Sequence, residues 1–297
     1  THVAPLVGHA AIRAAAMGFA DRRPTAAELE TMRRLAAEAM QAGAFGMSSG
    51  LVYPPGIYAD TEELIEICRV VAASGGLYAT HMRGEAAPVV ESVREALRIG
   101  REAGIPVEIS HHKAAGRENW GKVRITHALI AEAARTQDVT FDIYPYTAGS
   151  ANLSQLVPPW AHAEGPEAML ARLRDPASRA RILHDMVHGA PGWGNFFRVD
   201  WDTIQLSYVD SARLRWMQGL SVQAAAERAG RDPVELAVDL ILEDDNRTRM
   251  VNFVIAEEDV DFLLPKPESI IGSDGRSYTP GGPTGGGQPH PRSYGAF

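Results

Sequence analysis

Two apolar runs that each stop at a histidine constrain this chain more than any other feature. Leu77-Tyr78-Ala79-Thr80-His81 and Val107-Glu108-Ile109-Ser110-His111 both read as buried strands. Between them, residues 85–104 carry Val90, Val93, Leu97 and Gly100 at helical spacing and end on Gly104, which predicts a helix with a glycine stop. Strand, helix, strand is a βαβ unit; its strands run parallel, so both histidines belong at one C-terminal sheet edge. A neutral imidazole is the commonest metal ligand, and two at equivalent strand ends suit a catalytic metal such as zinc.

The rhythm extends in both directions. Strands are predicted at residues 3–7, 45–48, 139–144 and 269–273. A helix is predicted over 26–41, with Thr25 as N-cap and Glu28 three residues on, and another along Leu64, Ile67, Cys68 and Val71. Alternation of this kind means an α/β fold: a parallel sheet with helices outside, most of a (β/α)8 barrel. After Thr147 the rhythm breaks. Residues 150–247 are predicted to form a helical insertion capping the sheet, with helical patterns at 167–188 and 221–243 and a strand at 203–206. Strand character returns at 250–255 and 269–273, for six or seven parallel strands in all, and a Gly/Pro-rich loop occupies 281–287. No Gly-x-Gly-x-x-Gly follows the first strand, so an open dinucleotide-binding sheet has no specific support.

Barrel active sites lie at strand C-termini. That edge is expected to hold His9, Ser48, Ser49, His81, His111, His112, Lys113, Tyr144 and Asp274. His81 and His111 are the candidate metal ligands; His112 alternates to the far side and is expected to be structural. Asp274 ends the 269–273 run, with Gly272 and Gly275 near it, and is the candidate proton shuttle. Lys113 points to the same side as His111, and Arg292 follows the glycine loop. Cations near a metal in a chain of net charge −8 suit an anionic substrate, and a guanidinium grips a carboxylate in bidentate fashion. A phenol from Tyr144 or Tyr146 can join them. Cys68 sits on an apolar helix face and is expected to be buried. His184 and His188 lack the glutamate of a zincin helix, and Ser48 and Ser49 lack a nucleophile elbow.

The acidic balance, 37 Asp and Glu against 29 Lys and Arg, argues against nucleic acid or an anionic membrane surface as partner. No apolar run reaches 18 residues, so no membrane span is expected. One cysteine excludes an internal disulfide framework and fits a cytoplasmic setting.

Seven motifs occur in series: Pro5-Leu6-Val7-Gly8-His9, the run Gly46-Met47-Ser48-Ser49-Gly50-Leu51-Val52-Tyr53-Pro54-Pro55-Gly56, Thr80-His81-Met82-Arg83-Gly84-Glu85, Ser110-His111-His112-Lys113, Asp142-Ile143-Tyr144-Pro145-Tyr146, Gly272-Ser273-Asp274-Gly275 and His290-Pro291-Arg292. In this order they resemble the N-acyl-D-amino-acid deacylases (D-aminoacylases) of the amidohydrolase superfamily. The resemblance implies a TIM-like (β/α)8 metallo-dependent hydrolase barrel over residues 1–297, incomplete on its N-terminal side, with the family's flanking β-sandwich segments absent. It implies zinc-dependent hydrolysis of a small-molecule N-acyl-D-amino acid to a carboxylate and a D-amino acid. By motif, His81 and His111 are zinc ligands, Asp274 is the general acid/base, and Lys113, Tyr144 and Arg292 hold the substrate's α-carboxylate. His9 matches a family histidine without an assigned role. The family's early His-x-His and its ligating cysteine have no counterpart here. The third ligand is therefore expected upstream of Thr1, in a longer protein of which this chain is an internal piece. Two rival readings are a cyclic amidase of the dihydroorotase or hydantoinase type and a catalytically incompetent piece of a deacylase. The former wants a carboxylatable lysine late in a strand, and no predicted strand ends in one.

Overall fold

The computed structural model describes residues 2–191, 193, 198–279, 282 and 286–296. Of the expected glycine loop, Gly281, Pro283, Thr284 and Gly285 lie outside the described residues. Along the chain come β1 (Leu6–Gly8), α1 (His9–Met17), α2 (Ala26–Gln41), β2 (Gly46–Gly50), α3 (Thr61–Ala73), β3 (Leu77–His81), α4 (Val89–Ala103), β4 (Val107–Ile109), α5 (Val123–Ala133) and β5 (Val139–Ile143). They are followed by β6 (Gly149–Asn152), α6 (Pro166–Arg174), α7 (Pro176–His188), β7 (Ile204–Tyr208), α8 (Val222–Ala229), α9 (Pro233–Glu243), β8 (Arg249–Asn252), α10 (Glu257–Leu263), β9 (Ser269–Ile271) and α11 (Arg292–Gly295). Two compact units result, the first formed by Thr1–Ala114, Gly121–Ile143 and Asp261–Gly272, the second by the remaining segments.

The first unit holds a six-stranded sheet in the order β1-β2-β3-β4-β5-β9, and every pairing in it is parallel. Alternation gives the sheet two chemically different faces. Met47, Tyr78, Val107, Ile109 and Phe141 fall on one face and are buried as its apolar layer. His81, Glu108 and Asp142 fall on the other. The helices follow their local signals. α2 opens with a reciprocal capping box between Thr25 and Glu28. α4 buries Val89, Val93, Ala96 and Leu97 and stops where Gly104 turns left-handed.

Three expectations need correction. α4 begins at Val89 rather than at 85, because Pro88 occupies its N-cap and Glu85 turns inward instead of continuing a helix. The 250–255 strand does not join the parallel set; β8 (Arg249–Asn252) is the centre of an antiparallel sheet, β6-β8-β7, in the second unit. A four-residue strand with only Met250 and Val251 apolar fits either sheet, so pairing partners decided it. The parallel strand at 269–273 ends at Ile271, which leaves Asp274 beyond the sheet.

The second unit has its own core. Leu153, Met169, Leu173, Ile182, Ile204, Leu206, Ala237 and Ile241 are all fully buried there, between the antiparallel sheet and helices α6 to α9. Among the described residues no helix is long and apolar enough to cross a membrane.

Candidate metal centre

β3 carries His81 to the sheet edge directly: Gly50 pairs with His81, and Thr80 with Ile109 one step inward. His111 needs a second device. It lies two residues past the end of β4, and plain alternation would point its ring to the Ile109 face, away from His81. The backbone instead turns left-handed at His111, with φ 40°. A non-glycine residue there costs about 1–3 kcal/mol unless its surroundings hold it. Asp142 of the neighbouring strand does so: its Oδ1 accepts the His111 N–H at 2.7 Å, and its carbonyl accepts the His112 N–H at 2.8 Å. Gly272 leaves room for that carboxylate, since a Cβ there would lie 2.7 Å from Asp142 Cγ.

The turn brings His81 Nδ1 and His111 Nε2 to 2.9 Å, with ring centroids 4.6 Å apart. Two donors on a tetrahedral zinc, with bonds of about 2.0–2.1 Å, stand about 3.3 Å apart, so little movement would seat an ion between them. Glu85 completes the cluster. Its Oε1 lies 2.9 Å from His111 Nδ1, and its Oε2 lies 3.9 Å from His81 Nε2. Among the described residues these three form the one convergent group of metal-capable side chains. Lys113 Nζ donates to Glu85 Oε1 at 2.6 Å and to the His111 carbonyl at 2.7 Å, and lies 2.9 Å from His111 Nδ1.

Burial pushes the His81 pKa down to about 3, against the pull of the Glu85 charge, so the ring is neutral near pH 7 and keeps a lone pair for a cation. Burial pushes the Glu85 carboxyl up, but the Lys113 ammonium beside it, with the neighbouring imidazoles, outweighs burial and holds the group well below the usual range. One ring nitrogen, His81 Nε2, is buried without a hydrogen-bond partner. If His111 carries its proton on Nδ1, His81 donates through Nδ1 and this Nε2 is a bare lone pair. If His111 carries it on Nε2, the same atom is an orphaned donor. Either way the cluster is unsatisfied as a purely hydrogen-bonded one, and its donor set fits zinc.

His112 and His9 lie in other contacts of this unit. His112 Nε2 meets Thr126 Oγ1 at 2.8 Å on the opposite side, as expected. His9 Nε2 meets Glu63 Oε1 at 2.8 Å, and Arg13 also pairs with Glu63, all three buried. Ser49 belongs to a buried hydroxyl cluster with Tyr78 and Thr80, at 2.7 and 2.9 Å, and Cys68 is fully buried.

The second unit gathers three of the remaining predicted residues. Asp274 is not the end of a strand; it adopts a left-handed conformation, φ 46°, past β9, and its Oδ2 accepts from Arg292 at 2.8 Å. The Arg292 guanidinium lies 4.7 Å from the centre of the Tyr144 ring, and both residues are buried. Tyr146 donates its hydroxyl to the Gly295 carbonyl at 2.7 Å, so Tyr144 is the phenol that belongs with Arg292. His290 holds this corner: its Nδ1 accepts the Arg292 N–H at 3.0 Å, and its Nε2–H donates to the Ala148 carbonyl at 2.8 Å. His184 is exposed and pairs with Asp185, outside any metal-capable group among the described residues.

Sequence reasoning missed Glu85, Asp142 and His290. Glu85 falls at the start of the helix predicted over 85–104, although Gly84 before it and Pro88 after it signal a loop. Asp142, a carboxylate between the apolar Phe141 and Ile143 of a strand, was itself a signal for a polar role at the sheet.

No family model matches the chain. An N-acyl-D-aspartate deacylase of Alcaligenes xylosoxydans xylosoxydans is 34% identical over 303 aligned residues, covering 100% of this chain and 49% of the relative. A D-aminoacylase of the same organism is 51% identical over 154 residues, 52% of this chain and 32% of the relative. Among solved structures, the N-acyl-D-glutamate deacylase of Bordetella bronchiseptica, complexed with zinc and a phosphonate mimic of the tetrahedral intermediate, superimposes with a TM-score of 0.74 at 31% identity. It covers 99% of this chain and 51% of that one. The chain thus spans about half the length, or less, of the relatives it matches. Its parallel sheet with flanking helices, and its sequence over the full 297 residues, belong to the D-aminoacylase family of amidohydrolases.

Proposed function

We propose that this chain serves zinc-dependent hydrolysis of the amide bond in N-acyl-D-amino acids, releasing a carboxylate and a D-amino acid. The observation that carries the reading is the convergence of His81, His111 and Glu85 around an unsatisfied buried nitrogen, in a chain whose relatives are N-acyl-D-amino-acid deacylases. His81 and His111 would hold the ion. When bound, zinc supplies Lewis acidity toward a carbonyl oxygen and brings the pKa of water toward neutrality.

The protein's own groups move the proton and hold the substrate. Asp274 takes a proton from the attacking water and returns it to the leaving nitrogen, so that one water is consumed and a carboxylate and an amine leave. Arg292 offers a bidentate fork to the substrate's α-carboxylate, its guanidinium already oriented by Asp274 and the Tyr144 ring. The Tyr144 phenol adds a donor, and Lys113 adds positive charge beside the imidazoles.

Zinc content and turnover of N-acetyl-D- against N-acetyl-L-amino acids test the reading together. The purified protein is expected to bind zinc and prefer the D series, and Asp274→Asn is expected to keep the zinc and lose about 10²–10⁴-fold in kcat. Near-normal turnover by Asp274→Asn would remove Asp274 from this role. Equal rates on both enantiomeric series would remove the substrate assignment.

A further inference from the structure

The buried carboxylate of Glu85 has no role in the reaction just described, yet it faces both imidazoles of the metal cluster and Lys113. Its Oε1 faces His111 Nδ1 at 2.9 Å and Lys113 Nζ at 2.6 Å, and its Oε2 faces His81 Nε2 at 3.9 Å. It sits in the loop ahead of α4, buried, four residues after His81.

The tautomer of His111 is the crux. A neutral imidazole has one proton, and the nitrogen that carries it cannot ligate a metal. His111 Nε2 faces His81, so metal binding there requires the proton on Nδ1. Two groups compete for Nδ1. The Lys113 ammonium would donate to it and drive the proton to Nε2, whereas the Glu85 carboxylate would accept from it. The ammonium already has two stronger acceptors in reach, the Glu85 carboxylate and the His111 carbonyl at 2.7 Å. A carboxylate accepts an imidazole N–H in a charge-assisted bond about twice as strong as a neutral one. With the ammonium so engaged, Glu85 Oε1, 2.9 Å from His111 Nδ1, stands as the acceptor of the imidazole N–H.

We propose that Glu85 is a positioning residue: it holds the His111 proton on Nδ1, leaves Nε2 bare toward His81, and so prepares His111 as a ligand for a divalent cation. The proposal rests on the zinc reading above for its consequence, and on the geometry of the loop and β4 for its cause. Carboxylate partners of this kind are worth about 10–100-fold in metal affinity.

Two measurements test it. The ring ¹⁵N shifts of His111, read without metal, report which nitrogen is protonated, and competition with a chromophoric chelator gives the zinc affinity. The variants are Glu85→Gln and the pair Glu85→Gln with Lys113→Met, the second removing both buried charges together so that no unpaired ammonium is left to unfold the site. With far-UV circular dichroism unchanged, both are expected to lose about 10–100-fold in zinc affinity and to shift His111 toward the Nε2–H tautomer. Zinc affinity within threefold of the parent in either folded variant, while His81→Ala abolishes binding, overturns the proposal. If the parent binds no zinc, the metal reading fails on its own. The tautomer then decides this one, Nδ1–H in the parent upholding it and Nε2–H overturning it.

Discussion

Glu108 is an acid in a place where acids are uncommon. It alternates with the buried Val107 and Ile109 along β4, and its carboxyl accepts from Ser110 Oγ at 2.7 Å and from the Asp142 N–H at 3.0 Å. Burial, joined by the charge of Asp142, pushes its pKa from 4.5 up to about 8. The folded protein therefore keeps a proton that the unfolded chain gives up. The stability from this group is fully present below pH 4.5 and is lost as the pH rises to about 8. Glu108→Gln, which mimics the protonated acid, is expected to flatten the decline of the thermal midpoint over that range. A midpoint whose pH dependence is unchanged by the substitution would locate the proton elsewhere. At this scale the sequence was half legible. His81 and His111 stand out because each ends an apolar run, while Glu85 and Asp142 matter only through what lies across the sheet from them.

At the scale of elements, a buried ion pair joins α1 to α3 in the first unit. Glu63 on α3 accepts from both His9 and Arg13 on α1, with side-chain exposure of 1% for Glu63 and 0% for its partners. Deleting one member of a buried ion pair leaves the other charge uncompensated, which costs about 3–5 kcal/mol. Glu63→Gln should lower the unfolding free energy by that amount in a urea titration, and a loss under 1 kcal/mol would mean that water reaches Arg13. His9, whose role the resemblance leaves unassigned, spends its Nε2 on this pair. Helices were the most legible elements, because caps are written locally: the Thr25–Glu28 box, Asp60 ahead of α3 and Gly104 behind α4 all act within a few residues. The start of α4 was misread because a helical stripe continues on paper past the point where Glu85 is drawn to His111 and Lys113. The strand at 249–252 was misassigned for a related reason. Its apolar run says that it is a strand but not which edge it pairs with.

For the molecule as a whole, a site that binds zinc only when folded must stabilise the fold. At a free zinc concentration of 100 times the Kd the gain is about 2.7 kcal/mol. Adding zinc is therefore expected to raise the thermal midpoint, a chelator to return it, and His81→Ala to remove the response; an identical midpoint with and without zinc would argue that the cluster binds no metal. The sequence by itself determined the parallel βα order, the helix stops, the two histidines and the family, because these rest on periodicity, caps and motif order, all readable along the chain. The tertiary structure alone decided three things. It turned His111 toward His81 through a left-handed residue held by Asp142. It drew Glu85 out of a helix into the cluster, and it joined Asp274 to Arg292 over Tyr144. Each of these depends on a contact between residues 18 to 148 positions apart in the sequence, and such a contact leaves no periodic trace on either side of it.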